Sequence, residues 1–125
     1  MVAPQIRITE IVFDAPDLEV EARFWAALLD GEITDREEDW LTVTGPDGRK
    51  VGVQLAPDHV PPQWPDGAPQ QMHLDLTVTD MAAAHAHAVA IGATVLSPAE
   101  GPDLSKERGF VVYADPAGHP FCLCW

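Results

Sequence analysis

Glu10 and His73 each stand near the start of an alternating apolar–polar run, ITEIVFDAP and MHLDLTVTD, and Cys122 and Cys124 close the chain in HPFCLCW. An imidazole and a carboxylate that face one space form a general acid–base pair or, as readily, a satisfied ion pair. Two thiols one residue apart are a redox pair, half of a metal site, or two small apolar side chains of a strand. Strand geometry decides against the first. Side chains i and i+2 point the same way with Cβ atoms about 6.6 Å apart, whereas a disulfide needs about 3.5–4.5 Å. The cysteines are read as free thiols.

Regular elements must position these groups. From Glu10 onward Ile11, Phe13 and Ala15 fall on one face and Glu10, Val12 and Asp14 on the other, which is the period of a half-buried strand. Asp17 follows as a helix N-cap, with Glu19 and Glu21 in the first turn, Leu18, Ala22, Trp25 and Leu29 at helical spacing, and Gly31 as the stop. Three short strands are expected next, Glu32 to Arg36, Trp40 to Thr44 and Val51 to Leu55, with the turn GPDG before the last. Residues 57–70 then hold five prolines and no periodicity, so they read as a connector.

After the connector the pattern starts again. MHLDLTVTD alternates, Asp80 caps the alanine-rich helix MAAAHAHAVAI, and ATVLS, FVVYA and HPFCLCW read as strands, the last preceded by DPAG, a type I turn sequence. Laying TEIVFDAPDL over MHLDLTVTDM pairs Glu10 with His73 and Asp17 with Asp80, an offset of 63 residues. The chain is thus read as one domain over 1–125, built of two βαβββ modules at 6–57 and 71–125 joined by the Pro-rich connector 57–70.

Composition narrows the partners. Twenty acidic against seven basic residues give a net charge of −13, a field that repels phosphate backbones and anionic lipid heads, so neither nucleic acid nor membrane is expected. No apolar run approaches the roughly 18–20 residues of a membrane span, and the N-terminus lacks a signal-peptide pattern; a cytoplasmic protein is the default expectation. No nucleophile elbow, phosphate loop, dinucleotide fingerprint or zinc-protease motif is present.

The remaining chemistry-bearing residues carry weaker readings. His85 and His87, two apart in a helix, share no face and read as surface residues. His119 shapes the start of the last strand, and His59 in the connector shows no evident chemistry. Trp64, on the proline-stiffened connector, is placed to cap a cleft and stack on a flat ligand, or else to cover a sheet edge or a partner subunit; Trp25 is a further candidate for stacking. Residues 101–108, GPDLSKER, read as a gating loop or a plain hairpin.

The opening IVFDAPDLEVEARFWAALLDGE, the run QMHLDLTVTDM, the helix-ending IGAT and the closing DPAGHPFCL together resemble the vicinal oxygen chelate (VOC) superfamily of glyoxalase I, extradiol dioxygenases and bleomycin-resistance proteins, most closely its glyoxalase-like domain subgroup. The resemblance implies an α+β fold in which two tandem βαβββ modules form a curled mixed sheet around an open cleft, helices outside. Glu10, Asp14, Gly52, Gln54, His73, Asp75, Cys122 and Cys124 would then face the cleft, with Trp64 above it, and the alternate apolar residues would meet the helices. Small relatives commonly pair, so a homodimer is implied.

In metal-dependent relatives each module supplies one ligand from its first strand and one from its last. Position by position these fall on Glu10, Gly52, His73 and Cys122. Glycine cannot ligate through a side chain; Gln54 and Cys124 lie two residues further on the same faces. The usual metal site is therefore expected to be lost and no cofactor is called for; a divalent ion, if one binds, would take Glu10, His73 and Cys122, with Cys124 nearby, and thiolates would favour zinc or iron. Two functions follow from the resemblance. One is a lyase- or isomerase-type enzyme acting on a small oxygenated metabolite, with Glu10 and His73 as acid–base groups. The other is a non-catalytic protein that binds and sequesters a small molecule, as antibiotic-resistance relatives do; a weaker third is an interaction module with a vestigial cleft.

Overall fold

The computed structural model describes residues 4–125; the first three residues of the N-terminal segment that lacks a signal-peptide pattern lie outside them. Ten elements follow in order: β1 (Glu10–Ala15), α1 (Leu18–Leu28), β2 (Glu32–Arg36), β3 (Trp40–Thr44), β4 (Lys50–Leu55), β5 (Leu74–Thr77), α2 (Met81–Ala90), β6 (Thr94–Ser97), β7 (Phe110–Ala114) and β8 (Pro120–Cys124). This is βαβββ written twice. The helices start where the caps require. Asp17 accepts from the Val20 N–H and Asp80 from the Ala83 N–H, each satisfying one orphan donor of the first turn.

The two halves have the same topology, with strand orders β1-β4-β3-β2 and β5-β8-β7-β6. In each the first strand runs parallel to the last, and the other two pairings are antiparallel. Both second strands carry an irregularity at equivalent places, between Ile33 and Asp35 and between Val95 and Ser97. Neither sheet closes on itself. The result is an α+β fold of two mixed four-stranded sheets with the helices on one side, and the other side is left open for a cleft.

Helix α1 joins the halves. Phe13, Phe24, Trp25, Tyr113 and Phe121 fill the core, each contributing roughly 1.5–3 kcal/mol by burial. The Trp25 ring stacks on Phe13 of β1 at 4.9 Å and meets Phe121 of β8 edge-on at 5.4 Å. Polar ties follow the same seam. The Trp25 indole donates to Asp115, the Ala117 N–H to Glu21, and the His119 Nε2–H to the Asp14 carbonyl. Trp25 is 0% exposed, so it is not a ligand platform; stacking between two sheets is what holds it there.

The histidines of α2 are also structural ties. His85 Nδ1 shares a hydrogen bond with the Tyr113 hydroxyl at 2.8 Å, and His87 Nε2 donates to the Ala27 carbonyl of α1. His85 is half-buried and so is not the surface residue expected, while His87 is exposed as expected and carries this bond at the surface. His59 likewise donates to the Ala117 carbonyl, fastening the connector to the DPAG turn. Among the described residues no helix is long and apolar enough to cross a membrane.

Candidate functional site

The site grows out of the β7–β8 hairpin. DPAG closes the turn with the Gly118 N–H on the Asp115 carbonyl, and Gly118 takes a φ of 92°, which glycine adopts without strain. That turn fixes the register: Val112 opposes Cys122 and Phe110 opposes Cys124. On the other flank β5 places Asp75 beside Cys122. Six of these side chains (His73, Asp75, Phe110, Val112, Cys122 and Cys124) together with Trp64 and Gln70 of the connector enclose a cavity of about 330 Å³.

His73 and Asp75 form a pair, Nε2 to Oδ1 3.2 Å, with both side chains open to the cleft. Cys122 is buried and Cys124 half-buried, and both are free thiols. Burial pushes the Cys122 thiol up to about 12, and the neighbouring Asp75 carboxylate adds to it; Cys124 is raised by the same two causes. Such thiols stay protonated at neutral pH and make poor nucleophiles.

The first module's share of the expected site lies apart. Gly52 sits directly beneath the Trp40 ring: a Cβ there would come within 2.5 Å of the ring and 3.1 Å of Glu10 Oε2. The Trp40 indole is fixed by its N–H on the Thr42 hydroxyl at 2.8 Å. Glu10 is thereby half-buried beside the ring, and its Oε2 is shut from solvent with no hydrogen-bond partner. Asp14 and Gln54 face each other across β1 and β4 and are exposed. The structure thus gathers His73, Asp75, Cys122, Cys124 and Trp64 into one cavity, and leaves Glu10, Asp14, Gly52 and Gln54 outside its lining.

Gln70, Phe110 and Val112 were missed by sequence reasoning, as was the role of Trp40. Three of the four had a signal. Counting back from the DPAG turn pairs Phe110 and Val112 with the two cysteines, and counting back from GPDG pairs Trp40 with Gln54 and places it diagonally to Gly52. Gln70 had none, because the path of an aperiodic connector is not written in its composition.

The family profile of the glyoxalase-like domain matches residues 10–124. The chain belongs to that family. It is accordingly a member of the VOC superfamily. Solved structures with this fold include a glyoxalase family protein from Enterococcus faecalis (16% identity, TM-score 0.71, covering 95% of this chain and 97% of that one). A glyoxalase-related enzyme from Fulvimarina pelagi is similar too (23%, TM-score 0.64, 94% and 86%), as is the fosfomycin resistance protein FosX from Mesorhizobium loti (14%, TM-score 0.69, 94% and 90%). No curated protein sequence matches the chain.

A superfamily metal would need the four matched positions to converge, and here they do not fit. Gly52 offers no donor and is covered by Trp40, while Glu10 belongs to no group of three donors among the described residues. His73, Asp75 and Cys122 do bring donor atoms within 4.8 Å of one another, but this set lacks the first module's contribution and includes a thiol that would have to give up a tightly held proton.

Proposed function

We propose that this glyoxalase-like protein binds a small organic molecule in the cleft of its second module without a metal ion, and that any chemistry there is acid–base chemistry of the His73–Asp75 pair. The observation that carries this reading is the split site: His73, Asp75, Cys122 and Cys124 share a cavity while Glu10 and Gly52 are packed under Trp40. Size supports it as well, since about 330 Å³ lies at the lower end of the roughly 300–1,000 Å³ of small-molecule pockets. Trp64 and Phe110 supply flat apolar walls, and His73 and Asp75 supply orientation. Burial of the thiols disfavours thiolate catalysis. As in other small VOC proteins, a second copy of the chain is the expected partner.

Two measurements test this. Metal content by elemental mass spectrometry, on tag-free protein purified without chelator, is expected to be far below one equivalent, and unchanged in His73→Ala. Near-stoichiometric metal that vanishes in His73→Ala overturns the proposal in favour of a soft ion on His73, Asp75 and Cys122. Nile red, a flat neutral dye, is expected to bind saturably with enhanced fluorescence, and Cys124→Phe, which fills the cavity from its floor, to abolish this. Absence of saturable binding by the unmodified protein counts against the cleft as a ligand site.

A further inference from the structure

A second cavity, of about 310 Å³, opens between β1 and β5 under the connector. Its walls are apolar: Ile11, Val12 and Phe13 on one side, Leu74 on the other, and Val60 and Met72 above. Val12, Val60 and Met72 are 42%, 79% and 70% exposed, so the slot holds apolar surface that remains in contact with water, which favours an occupant. It adjoins the first cavity. Gln70 and His73 line both, and mark the junction between the two lobes.

Of the two polar side chains at that junction, His73 is engaged by Asp75, whereas Gln70 presents an acceptor that nothing meets. Gln70 Oε1 is shut from solvent and has no hydrogen-bond partner. Asp75, which lines the first lobe beside His73, carries a carboxylate, and neither lobe is lined by a lysine or an arginine. An acceptor without a donor in a low-dielectric site costs free energy until a donor arrives. The −13 net charge adds a long-range field of the same sign.

We infer, resting on the cleft reading above, that the ligand is bipartite: an apolar body seated between β1 and β5, and a head carrying N–H or O–H donors, neutral or cationic, that meets Gln70 at the junction and Asp75 in the adjoining first lobe. Carboxylates and phosphates fit the head position worst, since neither lobe offers a lysine or an arginine to offset Asp75. Alcohols, amides and, best of all, amines match it, because an ammonium brings donors for Gln70 and a counter-charge for Asp75 together.

Competition against bound Nile red at pH 7.5 tests this with octylamine, octanol and octanoate, which share one chain and differ in the head. Octylamine is expected to displace the dye at a concentration at least tenfold below octanoate, with octanol between them. Butylamine, too short to fill the apolar slot, is expected to need at least tenfold more than octylamine. Asp75→Asn is expected to bring octylamine and octanoate within threefold of each other, whereas Glu38→Gln, which removes an equal charge from an exposed bend, leaves the preference intact. Val12→Trp, which blocks the slot, is expected to erase the chain-length dependence. Octanoate competing as well as octylamine overturns the head assignment, and so does a preference unaffected by Asp75→Asn. Full octylamine affinity in Val12→Trp overturns the apolar lobe. Failure of Nile red itself to bind is a different result, since it strikes the cleft reading and not the ligand class.

Discussion

Replacing Glu21 by glutamine should stabilise the protein, and more so the more alkaline the solution. Glu21 is 1% exposed, on the face of α1 that meets the DPAG turn, and Asp115, 3% exposed, lies within hydrogen-bond reach of it. One oxygen accepts the Ala117 N–H at 3.2 Å, while the other has no donor. His119 Nε2 is 3.9 Å away but already donates its proton to the Asp14 carbonyl at 2.7 Å. Burial first, then the Asp115 carboxylate, therefore hold the Glu21 pKa far above its usual value of 4.5, and at neutral pH it keeps its proton. A folded-state value raised above the unfolded one means that the stabilising contribution is complete below pH 4.5 and is lost progressively as pH rises toward the folded value. The slope is at most about 1.4 kcal/mol per pH unit, so about 4 kcal/mol is the ceiling of the loss between pH 5 and pH 8. Glutamine keeps the shape, accepts from Ala117 and donates to Asp115, and it does not titrate. Melting curves of both proteins at half-unit steps should nearly coincide at pH 5 and separate by 5 °C or more at pH 8, the variant higher, since 1 kcal/mol corresponds to about 4 °C in a domain of this size. A variant that melts lower at pH 8, or a gap that does not change with pH, would show that Glu21 is ionised and usefully paired, and refute the reasoning.

Three further outcomes follow from the site. Gly52→Ala should expel the Trp40 ring and destabilise by about 1–3 kcal/mol, read by urea unfolding and a red shift of tryptophan emission; an unshifted spectrum means the ring is not seated on Gly52. Iodoacetamide at pH 8 should alkylate Cys122 and Cys124 at least tenfold more slowly in the folded protein than in urea, and Asp75→Asn should speed the reaction; equal rates by mass spectrometry contradict the raised thiols. Trp64→Ala should weaken Nile red binding by about fivefold, near the roughly 1 kcal/mol of an aromatic pair, while leaving the melting temperature within about 2 °C; unchanged affinity removes Trp64 from the binding wall.

The element pattern was legible because it depends on short-range rules. Asp17 and Asp80 announce the helix starts, alternation announces β1 and β5, and GPDG and DPAG announce the hairpins; every strand expected from the sequence is present. The candidate site was legible on the second module alone. His73, Asp75, Cys122 and Cys124 share a face of paired strands, so alternation suffices to bring them together. Glu10 and Gly52 have the same alternation, yet Trp40 from the neighbouring strand occupies the space in front of them. Alternation tells which face a residue is on; it does not tell what else fills that face. Trp25 failed for the related reason that an aromatic on a helix is a core residue or a ligand wall according to its neighbours in space, and those come from β1, from the DPAG turn and from β8.

The bridging position of Trp25 and Glu21 sets the order of events at the ribosome. Their partners Asp115 and Ala117 are 90 and 96 residues further along the chain. At about 5–20 residues per second, the first half of the protein waits on the order of 5–20 seconds for the turn that covers its tryptophan. During that interval β1 to β4 can pair and Phe13 can stack on Trp25, but α1 still presents the half of the indole that Phe121 will cover, and the Glu21 carboxylate, to water. The nascent first half is thus the stretch of this chain with most need of a chaperone, and its risk ends only when the last hairpin emerges.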